Sequence, residues 1–199
     1  MVLKGNILKL FVAKWIFVCS GLLLCSHALA ETTYVIDPSH TYPSFEADHM
    51  GLSLWRGKFN KTEGVIVYDP DQQTGRVELV IQADSMDFGH DKMNEKAIGP
   101  KMLDSEKFPE IRYVGHTMEF ENKKLVRVLG DLTMKGVTKP VNLTIDHFNC
   151  KMHPFAKREA CGATATAQFN RVDFGVDYAV DMGFNPNVKV LISVEAIKK

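Results

Sequence analysis

With 199 residues, the chain is long enough to bury one sizeable core. Its 24 basic and 24 acidic side chains balance. No charge excess points to nucleic acid, and no Lys/Arg cluster points to an anionic membrane surface.

The first thirty residues read as a cleavable signal peptide. They hold Lys4, Lys9 and Lys14 but no acid, then an apolar run from Trp15 to Cys25, then Ala28-Leu29-Ala30. A basic start, a short apolar stretch and a small-residue end are the marks of an export signal. The run is shorter than the ~20 residues a membrane helix needs. Cleavage after Ala30 predicts a mature domain of residues 31–199, with 21 basic and 24 acidic side chains and no stable membrane span. The expected address is the periplasm.

Alternation dominates residues 31–199. Val65-Ile66-Val67 is apolar on both faces. Val77, Leu79 and Ile81 interleave with Glu78, Val80 and Gln82. Val126 to Gly130, Val141 to Ile145 and Val188 to Val194 repeat the pattern. Period two with β-branched residues predicts strands. Asp69-Pro70-Asp71, Thr74-Gly75, Glu121-Asn122 and Lys135-Gly136 supply turn chemistry, which predicts meander connections. One stretch differs. Met93, Ala97, Ile98, Met102 and Leu103 have helical spacing, interrupted at Gly99-Pro100, which predicts a short broken helix over 91–104. About eight strands with one helical insert fit an all-β sandwich or closed barrel. Apolar residues on both strand faces favour a barrel packed outside by the helix and lined inside by apolar side chains. Eight strands leave room for side chains or one small ligand.

Catalytic patterns are few. No H-E-x-x-H, G-x-S-x-G or phosphate-cradling glycine loop occurs. Acids near His90 lack a nucleophile and an oriented partner. After cleavage only Cys150 and Cys161 remain, and in an oxidising compartment such a pair reads as a disulfide. The alternative is a metal or redox cluster of His147, Cys150, His153 and Cys161. Asn142-Leu143-Thr144 fits a glycosylation sequon but falls inside a predicted strand.

Several ordered segments resemble one family. They are Asp37-Pro38-Ser39-His40-Thr41, Phe45, His49-Met50-Gly51, Gly57-x-Phe59 and Lys107-Phe108-Pro109-x-Ile111-x-Tyr113. Gly130-Asp131-Leu132-Thr133-x-x-Gly136-Val137-Thr138-Lys139-Pro140-Val141, Asp173-Phe174-Gly175 and Leu191 to Ala196 continue in the same order. Together they resemble the YceI-like family across essentially the whole mature chain. The resemblance implies a lipocalin-like antiparallel barrel, exported in bacteria, that carries an isoprenoid lipid or quinone-like ligand in an apolar interior and is not an enzyme. Family members often carry R-D-x-H-L at the start of the helical insert. Here Asn94-Glu95-Lys96-Ala97-Ile98 stands there, without that Arg and His. The Cys150/Cys161 pair resembles a subset with a cysteine-closed hairpin.

The ligand-binding candidates are His40, Phe45, His49, Trp55, Phe59, Leu79, Ile81, Met86, Met93, Asn94, Ile98, Met102, Leu103, Ile111 and Tyr113. The apolar ones would line the barrel, with adaptable methionines closing one end. His40, His49 and Asn94 would meet a head group at the mouth. No catalytic cofactor is expected. A homodimer through a barrel edge or the helical insert stays open.

Overall fold

The computed structural model describes residues 31–199. The expected signal peptide and its cut after Ala30 lie outside these residues. Twelve strands form in chain order: β1 (Thr32–Ile36), β2 (Tyr42–His49), β3 (Ser53–Phe59), β4 (Thr62–Asp69), β5 (Thr74–Gln82), β6 (Met86–Asp87), β7 (Glu110–Glu121), β8 (Lys124–Met134), β9 (Val137–Pro140), β10 (Leu143–Met152), β11 (Glu159–Asn170) and β12 (Asn187–Lys198). Helix α1 (Asp91–Ile98) stands between β6 and β7.

Eight strands close a ring in the order β1, β4, β5, β7, β8, β10, β11, β12, with β12 returning to β1. Every pairing is antiparallel. The fold is therefore the antiparallel eight-stranded barrel that the alternation and the family resemblance predict. Closure removes the exposed edges that would otherwise invite aggregation.

The ring changes partway along β12. Ile36 pairs with Ala196, but from Ser193 to Val188 the partner is β2, from Tyr42 to Ala47. Between them the chain bends outward. Thr41, almost fully buried, fills the gap in the ladder. Its Oγ1–H donates to the Glu195 carbonyl at 3.2 Å, its Oγ1 accepts from the Glu195 N–H at 3.2 Å, and the Asp37 N–H donates to the same carbonyl at 2.9 Å. The backbone groups that the bend would orphan are thus satisfied. Past the bend, β2 pairs with β3 and β3 with β6, so one end of the barrel is widened by an extra hairpin.

That asymmetry divides the interior. At the closed end, Tyr34, Ile36, Val77, Leu79, Tyr113, Met118 and Val128 pack with Leu143, Cys161 and Ala196. At the widened end a second cluster surrounds Phe45, Phe59, Ile81, Leu103, Ile111 and Phe174. Two glycines allow large rings to lie flat against the wall. A Cβ on Gly130 would sit 2.6 Å from the Tyr113 hydroxyl, and one on Gly57 would sit 2.5 Å from Cζ of Phe45.

Some local expectations need correction. Thr74-Gly75 is not a turn but the start of β5, paired with Asp69 and Tyr68 of β4, and Gly75 leaves room for Met118 Sδ, 2.6 Å from where its Cβ would sit. The turn falls earlier, at residues 70–73. Val141 and Asn142 interrupt the expected strand, since the chain switches from β9, paired to the Asp131–Met134 end of β8, to β10, paired farther back at Arg127 and Val128. The Asn142 carboxamide oxygen accepts the Gly130 N–H at 3.3 Å in that break. The helix ends at Ile98, before Gly99-Pro100, as its breaker residues predict. It does not pack on the outer wall, however. It turns Met93 toward the cavity and leaves exposed Lys96 at the cavity's edge.

Candidate functional site

The widened half of the barrel is hollow, with a cavity of about 350 Å³. That lies toward the lower end of the ~300–1,000 Å³ typical of small-molecule sites. Alternation on β2 aims Pro43, Phe45, Ala47 and His49 at it. Strand β3 adds Trp55 and Phe59, β5 adds Ile81, and β7 adds Ile111. Met86, Met93, Met102, Met134 and Met182 also face it. Five flexible thioethers give a wall that can adjust to an irregular apolar guest.

The aromatic groups form a connected layer. Phe45 meets Phe88 edge-on at 5.3 Å and Phe59 at 5.9 Å. Trp55 stacks on His49 at 4.3 Å and lies 6.1 Å from Phe88. Each ring restrains its neighbours, so the lining is held in place before any ligand arrives.

Polar groups gather toward the mouth, where β2, α1 and the segment after β11 converge. Lys96 Nζ sits 4.6 Å over the Tyr178 ring and joins the helix to that segment. Arg171 organises the segment from below. Its Nη1 donates to the Val176 carbonyl at 2.6 Å and its Nη2 to the Tyr178 carbonyl at 2.9 Å. Burial pushes the Arg171 pKa down from its ordinary value, and the Asp177 carboxylate opposes that shift. Ala179 adopts the left-handed conformation at φ 63°, a few residues beyond left-handed Gly175. The fold holds this segment against the cavity despite the local backbone cost.

Of the fifteen residues singled out from the sequence, ten line the cavity: Phe45, His49, Trp55, Phe59, Ile81, Met86, Met93, Met102, Leu103 and Ile111. Five lie elsewhere. Leu79 and Tyr113 face inward but belong to the filled end, one inward-facing step beyond Ile81 and Ile111. Burial pushes the Tyr113 hydroxyl pKa up. Asn94 turns away from the cavity. Its Oδ1 accepts the Phe88 N–H at 2.7 Å and its Nδ2 donates to Asp87 Oδ1 at 3.0 Å, which fixes Phe88 where it lines the wall. Ile98 lies at the end of α1 and is not part of the lining.

His40 sits on the outer bend between β1 and β2. Its Nδ1 lies 2.7 Å from Asp37 Oδ2, while Ser39 Oγ–H donates to Asp37 Oδ1 at 2.6 Å. The Ser39 hydroxyl and then His40 hold the Asp37 carboxyl down at about 2, and Asp37 in turn raises the His40 pKa. The three resemble a hydrolytic triad in composition only. Ser39 donates to the carboxylate and approaches the same His40 nitrogen, Nδ1, at 3.2 Å, so no base is placed to take its proton.

Cys150 and Cys161 face each other across the β10–β11 pair and form a disulfide. This corrects the alternative metal reading, because bonded sulfurs cannot act as thiolate ligands. Among the described residues no three His, Cys, Asp or Glu side chains converge as a metal-binding group.

No sequence pattern pointed to Arg171, Val176, Tyr178, Met182 or Phe184 at this site. They lie on a segment with no alternation, between Asn170 and Asn187. Its local signals are the Asp173-Phe174-Gly175 motif and a pair of glycines, Gly175 and Gly183, each at a positive φ, and none of them names a lining side chain.

Residues 34–196 match the family model described as the YceI-like domain. The chain belongs to the YceI-like family. A UPF0312 protein of Shewanella denitrificans is 30% identical over 181 residues, covering 89% of this chain and 93% of its own length. A UPF0312 protein of Vibrio vulnificus is 28% identical over 169 residues, covering 83% of this chain and 87% of its own. Among solved structures, Burkholderia cenocepacia BcnA superposes with a TM-score of 0.67 at 19% identity, over 81% of this YceI-like chain and 99% of BcnA. A polyisoprenoid binding domain from Saccharophagus degradans, implicated in plant cell wall breakdown, superposes with a TM-score of 0.64 at 14% identity, over 83% and 98% of the two chains. At these identities the two structures establish a shared fold.

Proposed function

We propose that this chain is an exported binding protein that holds one isoprenoid-type or quinone-like lipid in its barrel and works as a carrier, not as an enzyme. The observation that carries this reading is the hollow half-barrel: about 350 Å³ walled by aromatic rings and methionines, with Ser44, Asp48, His49, Lys96, Arg171 and Tyr178 as its few polar lining residues. The polyisoprenoid-binding neighbour with the same fold supports the ligand class.

Binding would come chiefly from removing the chain from water. Each buried CH₂ contributes ~0.8 kcal/mol, so ten carbons give a gross gain of ~8 kcal/mol. Association and ordering costs subtract several kcal/mol from that. At ~30 Å³ per water-sized group, the cavity holds about a dozen such groups. A longer chain would extend through the mouth or displace the methionines. A head-group oxygen would meet His49, Lys96 and the Arg171 donors that the two backbone carbonyls leave free.

Export to the periplasm is part of the proposal. It is supported by the leader of residues 1–30 and by the disulfide, which suits an oxidising compartment. Cleavage should leave Glu31 as the first residue. The test is mass spectrometry of lipid extracted from protein purified under native conditions from its own periplasm. An isoprenoid lipid at near-equal amounts with protein is expected. No co-purifying lipid, together with no uptake of added quinone or polyprenyl lipid, would sink the proposal.

A further inference from the structure

Among the described residues, four of the ten exposed large apolar side chains stand together beside the cavity mouth. Leu52 is 77% exposed, Leu54 56%, Met50 45% and Met182 64%. Met50 and Leu52 occupy the turn joining β2 to β3, Leu54 is the second residue of β3, and Met182 ends the short 3-10 turn Val180–Met182. These two projections stand side by side. The Asn185 N–H donates to Asp48 Oδ2 at 3.1 Å, and Phe184 meets His49 edge-on at 5.3 Å.

The β2–β3 tip is also held in shape. The Gly51 N–H lies 3.0 Å from both Asp48 carboxylate oxygens, and the Leu52 N–H donates to the His49 carbonyl at 3.0 Å. Met182 is exposed and also reaches the lining, and Met50 and Leu52 cap the hairpin whose His49 and Trp55 line the cavity, while Leu54 lies on the other face of β3 from Trp55. Cavity and rim therefore meet at Met182. A contiguous exposed patch of this kind marks a surface that meets a partner.

We infer that this rim docks on a lipid bilayer and seats the cavity mouth against it, so that a ligand passes between membrane and cavity without crossing water. The inference rests on the proposed lipid site: a ligand of that class resides in bilayers, and the apolar rim flanks its way in. The occupant is the bilayer and not a second copy of the chain because the patch runs through Met182 into the ligand's own path. Met152 and Phe155, at 67% and 88% exposure, are as exposed among the described residues but take no part in the cavity lining. They sit at the β10–β11 hairpin tip beyond the disulfide, at the filled end.

Trp55 is the only tryptophan in residues 31–199, which contain every strand of the closed ring, and it serves as the reporter. Ligand-free protein of residues 31–199 is mixed with phosphatidylcholine vesicles carrying brominated acyl chains. Bromine should quench Trp55 in the wild type and in Phe155→Asp, and quenching should fall at least fivefold in the double variant Leu52→Asp, Leu54→Asp. Circular dichroism should show that all three proteins are folded. Absence of quenching in the wild type, or equal quenching in the double variant, overturns the inference. So does a wild-type dimer that ignores vesicles and that the double variant splits, because the rim would then be a self-association surface. Uptake of farnesol without vesicles reports the cavity separately. Its failure would count against the lipid site, while the quenching still decides the rim.

Discussion

Replacing Leu79 and, separately, Ile81 with alanine probes the division of the barrel into a filled and a hollow half. The two side chains lie on the same face of β5, two residues apart, and are equally buried, at 8% and 7% exposure. Each truncation removes three carbons, worth ~2.4 kcal/mol at ~0.8 kcal/mol per carbon. Around Leu79 the barrel is packed, so a new void adds its own cost, and the total should reach about 4 kcal/mol, within the ~2–5 kcal/mol seen for such changes. Ile81 already faces open space and has fewer packing partners to lose, so its loss should stay near ~2 kcal/mol. For a domain of this size ~1 kcal/mol shifts the melting temperature by roughly 2–4 °C. Urea and thermal unfolding should therefore rank Leu79→Ala well below Ile81→Ala. Farnesol titration should rank them the other way: Ile81→Ala alters affinity and Leu79→Ala leaves it near wild type. Equal destabilisation with no change in binding for either would refute the division.

Replacing both Cys150 and Cys161 with serine should cost about 3 kcal/mol by loop-closure entropy, lowering the melting temperature by roughly 6–12 °C without changing farnesol affinity, because the disulfide belongs to the filled end. Gly57→Ala should tilt the Phe45 ring into the cavity and weaken farnesol uptake severalfold, which isothermal titration would show; unchanged affinity would mean that the ring has room to yield. The Asp37 and His40 pair gives a pH signature. Asp37 is depressed in the fold, so its contribution is present above ~4 and is lost as pH falls through about 2. His40 is raised, so its contribution is complete below ~6.5 and is lost as pH rises through its elevated folded value. The stability difference between wild type and Asp37→Asn, from urea curves across pH, should be largest between these limits and shrink outside them. A difference that does not vary with pH would contradict the pairing.

The inward face of the barrel could be read from the sequence because period two is a local property. Val77, Leu79 and Ile81 alternate with their neighbours whatever lies across the barrel. Depth could not be read that way. Whether the space opposite a side chain is filled depends on where β2 replaces β1 along β12, a long-range event set by the bend at residues 37–41. This is why Leu79 and Tyr113 looked equivalent to Ile81 and Ile111. His40 and His49 posed the same difficulty: both are polar residues near β2, and only the outward bend at Thr41 separates them. The widening of one end also explains the helix. Met93 and Met102 had the right spacing for an apolar face, but the β3–β6 pairing brings that face to the cavity mouth. Arg171 and Tyr178 stayed invisible because their segment has no period and is shaped by side-chain bonds to carbonyls.

The most direct test of the lipid-holding cavity is a titration of a short-chain quinone into residues 31–199, monitored through Trp55. A quinone head brought beside the stacked His49 and Trp55 rings should quench the indole, saturate at one ligand per chain and be displaced by farnesol. Unchanged Trp55 emission up to the solubility limit of the quinone, with the protein folded and lipid-free, would contradict it.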